Sequence, residues 1–327
     1  MIEEGVLTLK TAIGEILNGL PEKTAALTIE ELLTHSSGLP ALPDLWQGRS
    51  PEAHARDAAR AQLYTIKPTT TPGQEIVYSC TGFLFLGEII ENVYRRALPD
   101  VFADFTGIGT ANTAAGKTLD TPNNVDPPAV AGSATDFIGF LPPPAVQKTC
   151  VPTEWCAWRR RRVLGTVHDE NAHILGGASG NAGLFGTLPA VHDHFFRVWG
   201  SVLGARRTDA ILKDKIVRQA VSHRCILPLG TALHDRPAGS IERRGLGMQI
   251  KPNGGPSFGP DTFGHTGFTG TSVWGDPASG LAVTILTSSL YYGRDTTAAG
   301  LYKYRRRVHE SVLGRYGSSR DDQRRNR

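Results

Sequence analysis

The chain has 327 residues, 40% hydrophobic and 20% charged, with a formal net charge of +4 at pH 7. A chain of this make-up buries a sizeable core, as one large domain or two intertwined ones, and its 37 glycines and 21 prolines exclude a helical bundle. The basic runs Arg159-Arg160-Arg161-Arg162, Arg305-Arg306-Arg307 and Arg324-Arg325-Asn326-Arg327 read as a solvated face and a frayed tail, with no nucleic acid as partner.

In chain order, Met1-Ile2-Glu3-Glu4-Gly5 reads as the last turn of a helix and its exit, so the sequence is expected to begin partway through an element. Thr28-Ile29-Glu30-Glu31 is a capping box. It starts a short helix through Leu32 and Leu33, which ends in the turn Thr34-His35-Ser36-Ser37-Gly38-Leu39-Pro40. Ser50-Pro51 is expected to open a second helix, with proline at its first position. Thr71-Pro72-Gly73 turns into a short strand around Ile76-Val77-Tyr78. Phe83, Leu86, Ile90 and Val93 then recur at helical spacing as one apolar stripe. Residues 97–148, rich in Ala, Thr, Gly, Asp and Pro, read as a poorly packed insertion or loop. The stretch Gly176-Gly177-Ala178-Ser179-Gly180-Asn181-Ala182-Gly183 is too glycine-rich for a helix interior. Pro189 starts a helix with Val191, Phe195, Val198 and Val202 on one face. Residues 263–288 contain a β-hairpin, with arms Thr271-Ser272-Val273-Trp274 and Leu281-Ala282-Val283-Thr284-Ile285-Leu286. A last helix from about Thr297 is expected to bury Leu301, Tyr304, Val308 and Val312. Residues 1–313 then form a single domain and 314–327 a basic disordered tail. Helices, a hairpin and a final helix indicate an α+β architecture rather than alternating βαβ units.

None of Cys80, Cys150, Cys156 and Cys225 forms a Cys-x-x-Cys pair, so no zinc site is expected, and Cys150 and Cys156 bridge only in an oxidising compartment. No apolar run approaches the roughly 18 residues that span a bilayer. As written the chain reads as cytoplasmic, and as secreted or periplasmic if a segment upstream of Met1 carries a leader.

Two motifs carry the chemistry. Tyr78-Ser79-Cys80-Thr81-Gly82-Phe83 resembles a Tyr-Ser-Asn segment and the helix behind it. Gly264-His265-Thr266-Gly267-Phe268-Thr269-Gly270 resembles an HTG-type strand, the counterpart of Lys-Thr-Gly. Leu32-Leu33-Thr34-His35-Ser36-Ser37-Gly38-Leu39-Pro40 is similar to an LLTHTSGLP turn. Val167 to Phe185 is similar to a His-Asp-x-Asn-Ala…Gly-Gly…Ala-Gly-Leu-Phe stretch. In this order and spacing they resemble the serine β-lactamase and penicillin-binding-protein-like superfamily, in its branch of class C β-lactamases, DD-peptidases and esterases. The resemblance covers most of residues 1–94 and 150–313. It implies a mixed α/β, β-lactamase/transpeptidase-like fold with an antiparallel sheet flanked by helices and a helical region. That fold would here lack its N-terminal strands and most of the helix that bears the nucleophile.

Acyl transfer needs an activated hydroxyl, a base and donors aimed at the developing oxyanion. The family's nucleophile and base come from Ser-x-x-Lys, and no Ser, Thr or Cys of this sequence has Lys three positions on. By resemblance, Tyr78 would pass protons between nucleophile, lysine and leaving group. A phenol needs neighbouring cations to do so at neutral pH. His265, Thr266 and Gly267 would line the pocket on an edge strand, Gly267 letting substrate come close, and the Phe268 N–H would be one of two oxyanion donors. Cys80 stands where the family has Asn, and a thiol cannot donate and accept like an amide. Ser36, Ser37 and Ser179 read as turn hydroxyls. The resemblance implies ester or amide hydrolysis through an acyl-serine, on a small-molecule ester, amide or β-lactam and without a cofactor, and inactivity of this chain as written. One alternative is a non-catalytic relative that keeps the pocket for binding. A remote one is a metal-dependent hydrolase using His168, His173 and His192, whose spacing matches no zinc-binding helix.

Overall fold

Short-range capping chemistry sets the first helices. A 3-10 turn, Ile13–Glu15, precedes α1 (Glu22–Ala25) and α2 (Ile29–Leu33). At α2 the Thr28 hydroxyl accepts the Glu31 amide while the Glu31 carboxylate accepts the Thr28 amide, closing the capping box in both directions. Helices α3 (Arg56–Leu63), α4 (Cys80–Tyr94) and α5 (Leu98–Thr106) follow. The computed structural model describes residues 1–52, 55–107, 137–223, 225–231, 238–251, 258–294 and 298–316.

The middle of the chain adds β1 (Ile138–Phe140), α6 (Pro144–Gln147), β2 (Trp155–Cys156), β3 (Arg161–Arg162), α7 (Glu170–Ile174), β4 (Leu184–Gly186), α8 (Leu188–Trp199) and α9 (Asp214–Ser222). Strands β5 (Cys225–Pro228), β6 (Ile241–Arg244), β7 (Gln249–Ile250), β8 (Phe263–Thr266), β9 (Ser272–Asp276) and β10 (Leu281–Ile285) then run as an antiparallel meander, spatial order β10-β9-β8-β7-β6-β5, before α10 (Ala298–Tyr316). Pairs β1–β4 and β2–β3 are separate two-stranded ribbons.

Among the described residues two apolar cores result. Leu7, Leu17, Leu27, Leu32, Leu84, Phe85 and Ile89 fill the helical part. Phe195, Leu203, Val221, Ile250 and Phe263 join α8 and α9 to the sheet. Each fully buried Leu or Phe contributes on the order of 1.5–3 kcal/mol. Gly87 of α4 and Gly180 let the glycine-rich loop touch this helix backbone to backbone. A Cβ on Gly180 would lie 2.0 Å from the Phe83 carbonyl oxygen.

The hairpin is β9–β10, with Trp274 opposite Val283. Several other expectations shift. The second helix starts at Arg56, after Ala55, and Pro51 lies in a turn before it. Around Tyr78 there is no strand, only a parallel bridge between Ile76 and Leu229. In α4 the deeply buried residues are Leu84, Phe85 and Ile89, whereas Phe83, Leu86, Ile90 and Val93 are half-buried. Helix α2 and the glycine loop press on α4 from different sides, so one periodic stripe does not describe it. In α10 the buried face is Arg305, His309 and Leu313, and Tyr304 is exposed. Within 97–148, α5 buries Leu98 and Ala103, and β1 buries Ile138, so both ends of that stretch belong to the packed structure. The rest of it, residues 108–136, lies outside the described residues; of the tail expected over 314–327, residues 314–316 continue α10 and 317–327 lie outside the described residues.

Candidate active site

The turn after α2 builds the first wall. His35 takes a left-handed backbone (φ 59°), its carbonyl accepts the Val77 amide at 3.0 Å, and its Nδ1 accepts the Ser79 amide at 3.0 Å. These bonds lay Val77, Tyr78 and Ser79 across the turn. The Ser79 hydroxyl then caps α4 by accepting the Gly82 amide and donates to the Pro40 carbonyl. Tyr78 therefore sits just before the N-terminus of α4.

The second wall is the sheet. His265 and Thr266 end β8, which lies between β7 and β9 and is not an edge strand. Strand β7, however, pairs only with Phe263 and Gly264, so His265 and Thr266 run past its end and stay open on that side. The Tyr78 and His265 rings lie 5.7 Å apart, and the His35 ring lies 4.6 Å from Tyr78 on the other side. Arg244, at the end of β6, places its guanidinium carbon 5.6 Å over the Tyr78 ring and its Nη1 3.4 Å from His265 Nε2. Arginine only donates, so His265 Nε2 is the acceptor and Nδ1 carries the proton it gives to the Thr266 carbonyl at 2.9 Å. Arg244 is wholly buried and ion-paired with Glu242 at 3.0 Å.

Proton affinities follow from this burial. Tyr78 is pushed up to about 12, chiefly by burial and then by Cys80, with Arg244 pulling it down only in part. Cys80 rises to about 11, through burial and then the charge of Asp169, offset by a hydrogen bond with Asn181. Burial also raises Asp169, against hydrogen bonds from the Ala172 amide and Asn181. At neutral pH the site thus holds a neutral phenol and a thiol.

The hydroxyls nearby are engaged in turns. Ser36 bonds Thr34 at 2.9 Å, Ser37 accepts the Leu39 amide, and Ser179 donates to Asn181 at 2.6 Å. Gly267 has a reason within its own loop, since a Cβ there would stand 2.2 Å from Thr271 Oγ1. The Phe268 ring is 67% exposed and lies 5.7 Å from His168 and 5.8 Å from the Arg294 guanidinium carbon. The His168, His173 and His192 side chains have separate partners: Glu154 at 3.0 Å, the Pro51 carbonyl at 3.1 Å and Thr284 at 2.9 Å. Among the described residues no group of three His, Cys, Asp or Glu could hold a metal ion, and no helix is long and apolar enough to cross a membrane.

Sequence reasoning missed Arg244, Asp169 and Asn181 as neighbours of Tyr78 and Cys80, and it named His35 only as part of a turn. Arg159 is another surprise. It is buried, and its guanidinium donates to the carbonyls of Val167, His168 and Asp169 at 2.7, 3.1 and 3.2 Å. It holds the 167–169 segment, which carries Asp169, from inside the protein.

A tyrosine at the head of a helix, facing a His-Thr-Gly strand of an antiparallel sheet, defines the class of β-lactamase and penicillin-binding-protein folds. The Beta-lactamase family profile matches residues 1–304, and the chain belongs to that family. A putative D-alanyl-D-alanine carboxypeptidase of Salmonella enteritidis PT4 is 26% identical over 311 residues, 88% of this chain. The chain spans 64% of the length of that relative. A penicillin-binding-protein homologue from Caulobacter crescentus superposes with a TM-score of 0.58 at 16% identity, covering 93% of this chain and 78% of the other. A family VIII carboxylesterase does so at 0.54 and 18%, with the same coverage of 93% and 78%. These two likenesses speak to the fold.

Proposed function

We propose that the cleft between the N-terminus of α4 and the end of β8 is the substrate-binding side of a serine acyl-hydrolase site, taking a small ester, amide or β-lactam. The observation that carries this reading is the convergence of Tyr78 with His265 and Arg244, the first far along the chain from the other two. A neutral tyrosine held there is placed to hand a proton to a leaving group. The Phe268 N–H follows directly on the His-Thr-Gly strand, where an oxyanion donor is needed. The relatives named D-alanyl-D-alanine carboxypeptidase and carboxylesterase support an amide or ester as substrate class.

The 327 residues contain no Ser-x-x-Lys. Cys80 is a thiol rather than a thiolate, and Ser36, Ser37, Ser79 and Ser179 are held in turns and a cap. The chain as it stands therefore binds without acylating. Loss of a nucleophile removes on the order of a million-fold in rate. The test is stopped-flow absorbance with a chromogenic β-lactam and a nitrophenyl ester, together with calorimetric titration of the same compounds. Saturable binding without a stoichiometric burst is expected. A burst of one chromophore per chain would overturn the inactive reading, and no binding of either compound would overturn the cleft assignment.

A further inference from the structure

The turn after β8, residues 267–271, carries the Phe268 N–H. Much of its hydrogen bonding is internal or to the segment after β10. Gly267 N–H donates to the Thr271 carbonyl at 2.7 Å and Gly270 N–H to the Gly267 carbonyl at 3.1 Å. The Ser289 amide donates to the Thr269 carbonyl at 2.8 Å, and the Thr287 hydroxyl to the Gly270 carbonyl at 2.7 Å. One further partner comes from α10. Arg305 Nη2 donates to the Thr271 carbonyl at 2.7 Å and reaches the Gly267 carbonyl at 3.5 Å.

Arg305 is unusual in its setting. It is 9% exposed, and no ion pair joins it to a carboxylate among the described residues. The titratable group one turn further along the same face is His309. That ring is wholly buried, packs on Phe258 at 5.0 Å, and has no hydrogen-bond partner for either nitrogen among the described residues. Burying a cation without an acid is costly, so an apolar residue at 305 would be the more stable choice if packing alone mattered. What a guanidinium does here that an apolar side chain cannot is tie together the two carbonyls at the ends of one turn.

We infer that Arg305 is a positioning residue, which locks the 267–271 turn from behind the sheet and so fixes where the Phe268 N–H points. That the N–H matters for chemistry rests on the proposed acyl-hydrolase cleft. That the turn is held by Arg305 does not. Helix α10 packs on β10, and Arg305→Met keeps an unbranched stem of similar length while removing the donors. Arg305→Lys keeps one cationic donor on a similar stem.

The test is residue-resolved amide hydrogen exchange by NMR on the full chain and both variants. Relative to core amides such as Phe85 and Val283, the Gly267 and Gly270 amides of Arg305→Met should exchange about tenfold faster, the factor set by one lost hydrogen bond to a charged group. Arg305→Lys should recover part of the difference. A purely structural role would speed core and turn amides by one common factor, and that result, or unchanged turn amides, overturns the inference. If Arg305→Met fails to fold, the unmodified protein still decides. Its Arg305 Nη protons should be protected from exchange, and exchange at the rate of free arginine would sink the proposal. Calorimetric binding to the unmodified protein reads the cleft separately, so failure of one claim is visible without the other.

Discussion

Replacing His35 with Asn isolates one buried imidazole and its proton. His35 is 3% exposed, accepts the Ser79 amide, stacks on Phe83 at 4.9 Å and touches Tyr78. Asn tolerates the left-handed backbone at 35 and keeps an acceptor within reach of Ser79, so the main loss at pH 7.5 is ring packing, about 2 kcal/mol. Protonation is a separate effect. Burial, then the charge of Arg244 and, once it is protonated, that of His265, holds the native imidazole well below its ordinary 6.5. The native pKa is depressed, so the unfolded chain binds the extra proton. The stability is present above about pH 6.5 and lost as pH falls below it. Between pH 7.5 and 5.5 one such group costs about 1.4 kcal/mol. The other imidazoles with lowered values, His168, His173, His192, His194 and His309, titrate in both proteins and cancel in the comparison. Urea denaturation at both pH values should show the unmodified chain losing about 1.4 kcal/mol more than His35→Asn. Equal losses in the two proteins would mean that His35 is not a buried neutral group.

Three further outcomes follow from the same geometry. With its thiol at about 11, Cys80 should react with iodoacetamide at pH 8 about two hundred times more slowly than free cysteine, as read by mass spectrometry; labelling at the free rate would contradict the buried thiol. Gly267→Ala should destabilise by about 1–3 kcal/mol because its Cβ meets Thr271 Oγ1, and adding Thr271→Ala should recover most of that in a double-mutant cycle; additive effects would rule that clash out. Arg159→Ala should cost about 3 kcal/mol by chemical denaturation, whereas exposed Arg161→Ala stays within about 0.5 kcal/mol; equal effects would return both residues to a solvated face.

The sequence by itself determined the features that depend on near neighbours. Thr28 and Glu31 close their capping box within one turn, and the alternation around Trp274 and Val283 suits a hairpin whichever sheet it joins. The Tyr78 and His265 motifs were also legible, because the resemblance rests on short runs of residue types. The partners that surround them were not. His35 accepts an amide far along the chain at Ser79, and Arg244 reaches both Tyr78 and His265 from another strand. Arg159 and Arg305 were read as solvated because burying a charge is normally prohibitive, yet each meets backbone carbonyls that other segments bring to it. For the same reason α4 and α10 carry buried faces that apolar periodicity misplaces. Periodicity records which side chains avoid water, whereas Arg305 and His309 go inside because of what they meet there. Only tertiary structure decided which carbonyl each guanidinium meets, since that depends on segments whose separation along the chain no local pattern encodes.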